Sequence, residues 1–211
     1  MSAAANIIAF RKLLRERFPE AHVAQGPARE RAAGSGLACV DSLGLLPGCV
    51  TEVVAVAGST GAGLLIHSLL EGAGEAIRLP VALVDGGDGF DPGFVSPAAR
   101  ERLLWVRCRE PMIAARATDL LLRDGNLVRV LVDLQLCHAQ AVRSLPLQVW
   151  HRLRLLAEKS GVALCVFTPC QAVACARTRV LMERPFALGA LDMPRQELLA
   201  GLPVRTTRRV A

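Results

Sequence analysis

Tyrosine is absent from the chain, tryptophan occurs twice, and aromatic residues make up 4% of 211. Residues 171–211 hold a single aromatic ring, Phe186. A surface that reads single-stranded nucleic acid by stacking bases on aromatic side chains is therefore disfavoured. Lysine is nearly missing as well: Lys12 and Lys159 are the only two among 25 basic residues. The arginine bias is general, so no single arginine signals phosphate recognition. None of the seven cysteines, an odd number, sits in a C-x-x-C pair, which argues against a disulfide framework and for buried free thiols. Cys165, Cys170 and Cys175 are regularly spaced, but the spacing is wrong for zinc and no histidine lies near, so no metal is expected. The longest uncharged run, Val53 to Leu70, contains glycines, Ser59, Thr60, His67 and Ser68. It reads as strand, loop and helix rather than as a membrane span. At the N-terminus the apolar residues precede Arg11 and Lys12, the reverse of a secretory signal, and a cytoplasmic location is the expectation.

What is present describes a globular protein. Hydrophobic residues make up 52% and charged residues 21%, enough for one substantial core in 22.5 kDa. The net charge of +6 sits at the two ends: residues 1–31 carry six bases against three acids, and residues 171–211 carry seven against three. Those seven include Arg177, Arg179, Arg205, Arg208 and Arg209, candidates for contact with a protein partner or with DNA. Ile7, Phe10, Leu14 and Phe18 form an apolar stripe at helical spacing that ends at Pro19, a candidate docking helix. Residues 1–35 thus read as this helix and a linker, 36–170 as a core, and 171–211 as a basic extension.

Within the core, apolar runs at Cys49–Val56, Leu79–Val84, Leu103–Val106, Leu127–Val132 and Val162–Phe167 alternate with helical patterns at Leu64–Ala73, Met112–Arg123 and Pro146–Lys159. Continuous apolar strands alternating with helices predict an α/β fold with a mostly parallel sheet covered on both faces. In the extension, "FALGALDM" and "LPVRTTRRV" suggest a short antiparallel pair at the sheet edge. His67, His138 and His151 fall on different elements with no adjacent Ser/Asp or Cys/Asp pattern, so none is nominated as a general base.

The stretch "AGSTGAGLLIHSLL" has the frame of a phosphate-binding loop without its chemistry. A hydrophobic strand leads in, Gly58 and Gly63 are separated by four residues, Gly61 among them, and an apolar helix leads out. The template G-x-x-x-x-G-K-[ST] needs a cation for the β- and γ-phosphates and a hydroxyl for magnesium. Leu64 and Leu65 stand in those places. Two acids end apolar runs further on, Asp85 in "LPVALVDGGDGFDP" and Asp133 in "VRVLVDLQL".

Together these segments resemble the RecA-like nucleotide-binding core. "GLLPGCVTEVVAVAGSTGAG" is similar to the approach to the RecA phosphate loop, "LPVALVDGGDGFDP" to the RecA pattern I-D-A-E-H-A-L-D-P, and "VRVLVDLQL" to the strand ending in the Walker B aspartate. The resemblance implies a RecA-like fold, and it implies losses. Gly87 stands where RecA has the glutamate that polarises the attacking water, and Thr168 and Pro169 replace the Asn-Gln pair that opens its DNA-binding loop. Asp85 and Asp133 remain as vestigial acids. Each missing group of this kind is commonly worth about 10² in rate, about 3 kcal/mol, so turnover is not expected, and neither is a cofactor.

A degenerate phosphate loop in a short chain with "RERFPEAHV", "HRLRLLAEKSGVAL" and "ARTRVLMERPFALGALDM" resembles the ImuA family, the SulA/RecA-related accessory proteins of bacterial mutagenic translesion synthesis. That resemblance implies a non-catalytic protein of the SOS response working with an ImuB-type polymerase-like protein and an error-prone replicative-type polymerase, with RecA and DNA as further contacts. Three readings compete with it: an ATP-binding RecA paralogue acting as a recombination mediator, a SulA-like inhibitor of cell division, and an ordinary metabolic enzyme, against which the scattered histidines speak.

Overall fold

The computed structural model describes residues 45–72 and 80–208, together with Lys12, Leu13, Glu16 and Arg17. The proposed docking positions Ile7, Phe10, Leu14 and Phe18 lie outside the described residues, as does Arg209. Helices are numbered here from the first one described in full.

Strand β1 (Val50–Ala55) leads through the glycine loop into α1 (Ala62–Glu71), and β2 (Val81–Asp85) follows. A 3-10 turn (Pro92–Phe94) and α2 (Pro97–Glu101) carry the chain to β3 (Leu103–Arg107). Then come α3 (Pro111–Asp124), β4 (Arg129–Asp133), α4 (Ala139–Arg143), α5 (Leu147–Ser160), β5 (Ala163–Thr168) and β6 (Thr178–Met182). A second 3-10 turn (Leu188–Asp192), α6 (Arg195–Ala200) and β7 (Val204–Arg208) close the described chain. The strands form one seven-stranded sheet in the order β3-β2-β4-β5-β1-β6-β7, parallel except for the β6–β7 pair. This is the α/β, mostly parallel architecture predicted from the sequence, and it is consistent with a RecA-like fold.

Both faces of the sheet are covered, which is why β1, β2 and β5 read as unbroken buried runs instead of alternating. On one face α3 and α5 bury Ala82, Val84, Val130, Leu121 and Leu153. On the other, α1 sets Leu65, Ile66 and Leu69 against Val53, Leu83, Leu131 and Phe167. Local signals set the helix ends. Pro111 opens α3, where its missing N–H costs nothing. Gly125 and Gly161, at φ 72° and 71°, end α3 and α5 in the left-handed conformation that favours glycine.

The extension differs in detail from the sequence reading. It supplies an antiparallel edge pair, but β7 pairs with "TRVLM", Thr178–Met182, and not with "FALGALDM". Phe186–Met193 carries a glycine and is flanked by Pro185 and Pro194. Prolines cannot donate to a ladder, and the segment turns instead. Residues 171–208 also belong to the main sheet, since β6 pairs in parallel with β1. Among the described residues no helix is long and apolar enough to cross a membrane.

Candidate functional site

In an open parallel sheet, ligands collect at the carboxyl ends of the strands, where the connecting loops meet. Here that rim carries the glycine loop after β1, residues 86–90 after β2, and residues 134–138 after β4. The register places Asp85 and Asp133 side by side at the ends of neighbouring strands.

Each position of the phosphate-loop frame has a distinct surrounding. A Cβ added at Gly58 or at Gly63 would meet nothing within 4 Å, so the two frame glycines are not required by packing. Gly61 is the constrained one. Its φ is +87°, and a Cβ there would lie 2.5 Å from Leu202 Cδ2 and 2.8 Å from Phe186 Cε2. The mouth of the loop is thus covered by two apolar side chains of the extension, and the Phe186 N–H donates to the Ser59 carbonyl at 2.8 Å. Leu65 is fully buried in the core beneath α1, and Leu64 is half-buried beside it. Full burial of a leucine is worth about 2 kcal/mol. At position 65, where the phosphate-loop template has a hydroxyl, the chain packs a leucine into its core.

The second loop is closed in the same manner. Asp85, itself buried, accepts from the Gly89 N–H at 3.1 Å and the Phe90 N–H at 3.0 Å, so its carboxylate is spent on shaping "GGDGF". A Cβ at Gly87 would lie 2.6 Å from Leu136 Cβ, and one at Gly89 would collide with Leu136 Cδ1. Leu136, 72% exposed, lies across both glycines. A glutamate at position 87 has no room beneath it. Asp88 adopts the left-handed conformation at φ 55° and is braced by Arg107, whose Nε and Nη2 donate to its two carboxylate oxygens at 2.6 and 3.0 Å. Those bonds hold the Asp88 carboxyl below its usual range. The Arg107 guanidinium also lies 5.1 Å from the centre of the Trp105 ring.

Asp133 has few partners. Its Oδ1 accepts from the Gln135 backbone N–H and from Gln135 Nε2, both at 3.0 Å. Burial pushes its pKa up, the Gln135 bonds oppose the shift, and the charge on Asp85 adds to it. Nearby, burial and the Asp133 charge push the Cys137 thiol up to about 11, and its Sγ donates to the Gly86 carbonyl at 3.3 Å. Such a thiol is a packing group and a poor nucleophile. Among the described residues no group of three or more His, Cys, Asp or Glu side chains could hold a metal ion.

Sequence reasoning missed Glu52. In the middle of β1 and 0% exposed, it accepts from Thr168 Oγ1 at 3.2 Å and from the Ala172 and Val173 N–H groups at 2.7 and 2.9 Å, all on Oε1. Its Oε2 accepts from Arg179 Nε at 2.6 Å, and Arg179 Nη2 also donates to the Val173 carbonyl at 3.1 Å. The signal was in the sequence: a single acid inside "VTEVVAV" cannot be buried without partners.

The arginines of the extension are not gathered into one patch. Arg179 is committed to Glu52. Arg177 is exposed at the start of β6, with Nη1 3.4 Å from Cys49 Sγ. Arg205 is also exposed, but it lies toward the other end of the sheet, opposite Leu181, and pairs with Glu183 at 2.8 Å. The backbone of Arg208 returns to the Thr178 end.

No protein-family model matches the chain, and no curated protein matches it.

Proposed function

We propose that this chain is a non-catalytic, RecA-like accessory protein of the SOS response and of mutagenic translesion synthesis, of the ImuA type. It works through protein–protein contacts with an ImuB-type polymerase-like protein and an error-prone replicative-type polymerase complex, with RecA as a further contact. One observation carries the non-catalytic half of the reading: the places where phosphoryl-transfer groups would sit are filled by apolar side chains. Leu65 lies in the core, Phe186 and Leu202 cover Gly61, and Leu136 covers Gly87. Phosphoryl transfer depends almost wholly on positioned charge, and none of these groups supplies any. The pathway is supported by the resemblance of the three core segments and the extension to the ImuA family.

The tests separate the two halves. ATP hydrolysis by the purified chain should stay at background with magnesium and DNA, and Leu64→Lys with Leu65→Thr should not raise it. A magnesium-dependent turnover that disappears in Asp133→Ala would overturn the non-catalytic reading and favour an ATP-binding recombination mediator. Tandem purification from cells after DNA damage should recover a polymerase-like protein, whereas recovery of a tubulin-like division protein would favour the SulA-like alternative. Arg177→Glu and Arg205→Glu should slow association with the polymerase partner if the exposed arginines meet an acidic protein surface. Loss of DNA binding alone, steep in salt, would assign them to phosphates.

A further inference from the structure

The glycine loop turns from β1 into α1, and the chain itself supplies side chains that cover it. Two non-adjacent segments converge on Gly61: Phe186, between β6 and the second 3-10 turn, and Leu202, between α6 and β7. Neither arrives by chance packing of a loose tail. The Phe186 N–H is bonded to the Ser59 carbonyl, Leu202 N–H is bonded to the Leu199 carbonyl, and Val204 two residues later is in register with Met182 in the β6–β7 ladder. Both segments extend from the same end of the antiparallel β6–β7 pair, which anchors them in the sheet.

The loop needs such a partner. Ser59 and Gly61 both lie at positive φ, 60° and 87°, with Thr60 buried between them. A non-glycine residue such as Ser59 held in that region persists only where its surroundings fix it. In a nucleotide-binding loop the bound phosphates supply that constraint through the backbone amides. Here, at Gly61, an aromatic ring and a leucine stand against the backbone.

We propose that the glycine loop is a receptor for an apolar segment, that Phe186 and Leu202 are the ligand it holds in cis, and that this contact replaces nucleotide as the element that orders the loop. The proposal rests on reading the glycine turn as a phosphate-loop frame, and it does not depend on the polymerase-accessory reading.

Hydrogen–deuterium exchange of the full chain tests it without any partner protein. In Phe186→Ala and in Leu202→Ala, the two amides bonded to the loop carbonyls, that of residue 186 on Ser59 and that of Leu65 on Gly61, should exchange about tenfold faster, while α3 and α5, on the opposite face of the sheet, keep their protection. Phe186→Leu, which keeps an apolar group at the mouth, should restore most of the protection. The reciprocal test pushes from the loop side: Gly61→Ala should expose the Phe186 amide by displacing the residues above it. Unchanged exchange at residues 65 and 186, or a rise shared equally by α3 and α5, would overturn the proposal, as would a Phe186 amide that stays protected in Gly61→Ala.

Discussion

Glu52 and Asp133 are both carboxylates on interior strands of one sheet, and they are treated in opposite ways. Glu52 is met by a hydroxyl, two backbone amides and a guanidinium. Asp133 is met by Gln135 alone, and burial has pushed its pKa up. The difference shows what each carboxylate is for. Glu52 ties the connection after β5 to β1 and β6, so its charge is part of the fold. Asp133 sits where the RecA resemblance places a magnesium ligand, and its surroundings stabilise its charge poorly. Asp85 falls between them, turned from the site toward the backbone of its own loop.

Substitutions sharpen this contrast, beginning with the largest effect. Glu52→Ala should cost on the order of 3 kcal/mol in urea unfolding, because it strands Arg179 and leaves the Ala172 and Val173 amides without an acceptor. A cost below that of an ordinary surface change would mean that the network does not hold the fold. Gly87→Ala should cost roughly 2 kcal/mol by overpacking against Leu136, and the cost should shrink in a Leu136→Gly background. An equal cost in both backgrounds would place the strain elsewhere. Arg179→Lys keeps the charge but loses the two-pronged contact with Glu52 and the Val173 carbonyl, and should cost about 1 kcal/mol.

Asp133→Asn should have the smallest effect, and of opposite sign. A carboxyl whose pKa is higher in the folded than in the unfolded state destabilises the fold once pH rises past the unfolded value of about 3.9. The asparagine variant should therefore be the more stable protein at neutral pH, and the gap should close as pH falls toward that value. A variant less stable than the parent at pH 7 would show that the Asp133 charge is used after all.

Much of the fold was legible because its signals are local. The apolar runs that became β1 to β5 and the helical patterns that became α1, α3 and α5 stand in the sequence within a few residues of their observed bounds. The missing cation and hydroxyl at Leu64 and Leu65 were equally plain. The sequence could not say what covers Gly87. The glycine at 87 and the leucine at 136 are 49 positions apart, and only the β2–β4 pairing brings them together.

By itself the sequence determined the alternation of strand and helix, the loop frame and the absence of its chemistry, since these depend on residue type and short-range period. Tertiary structure decided that Arg179 serves Glu52, that β7 pairs with β6 rather than with the segment beginning at Phe186, and that Phe186 and Leu202 close over Gly61. Each of those facts is a contact between residues more than twenty positions apart. Its energy comes from burial and from pairing across the sheet, and no local pattern encodes which distant partner will be there to supply it.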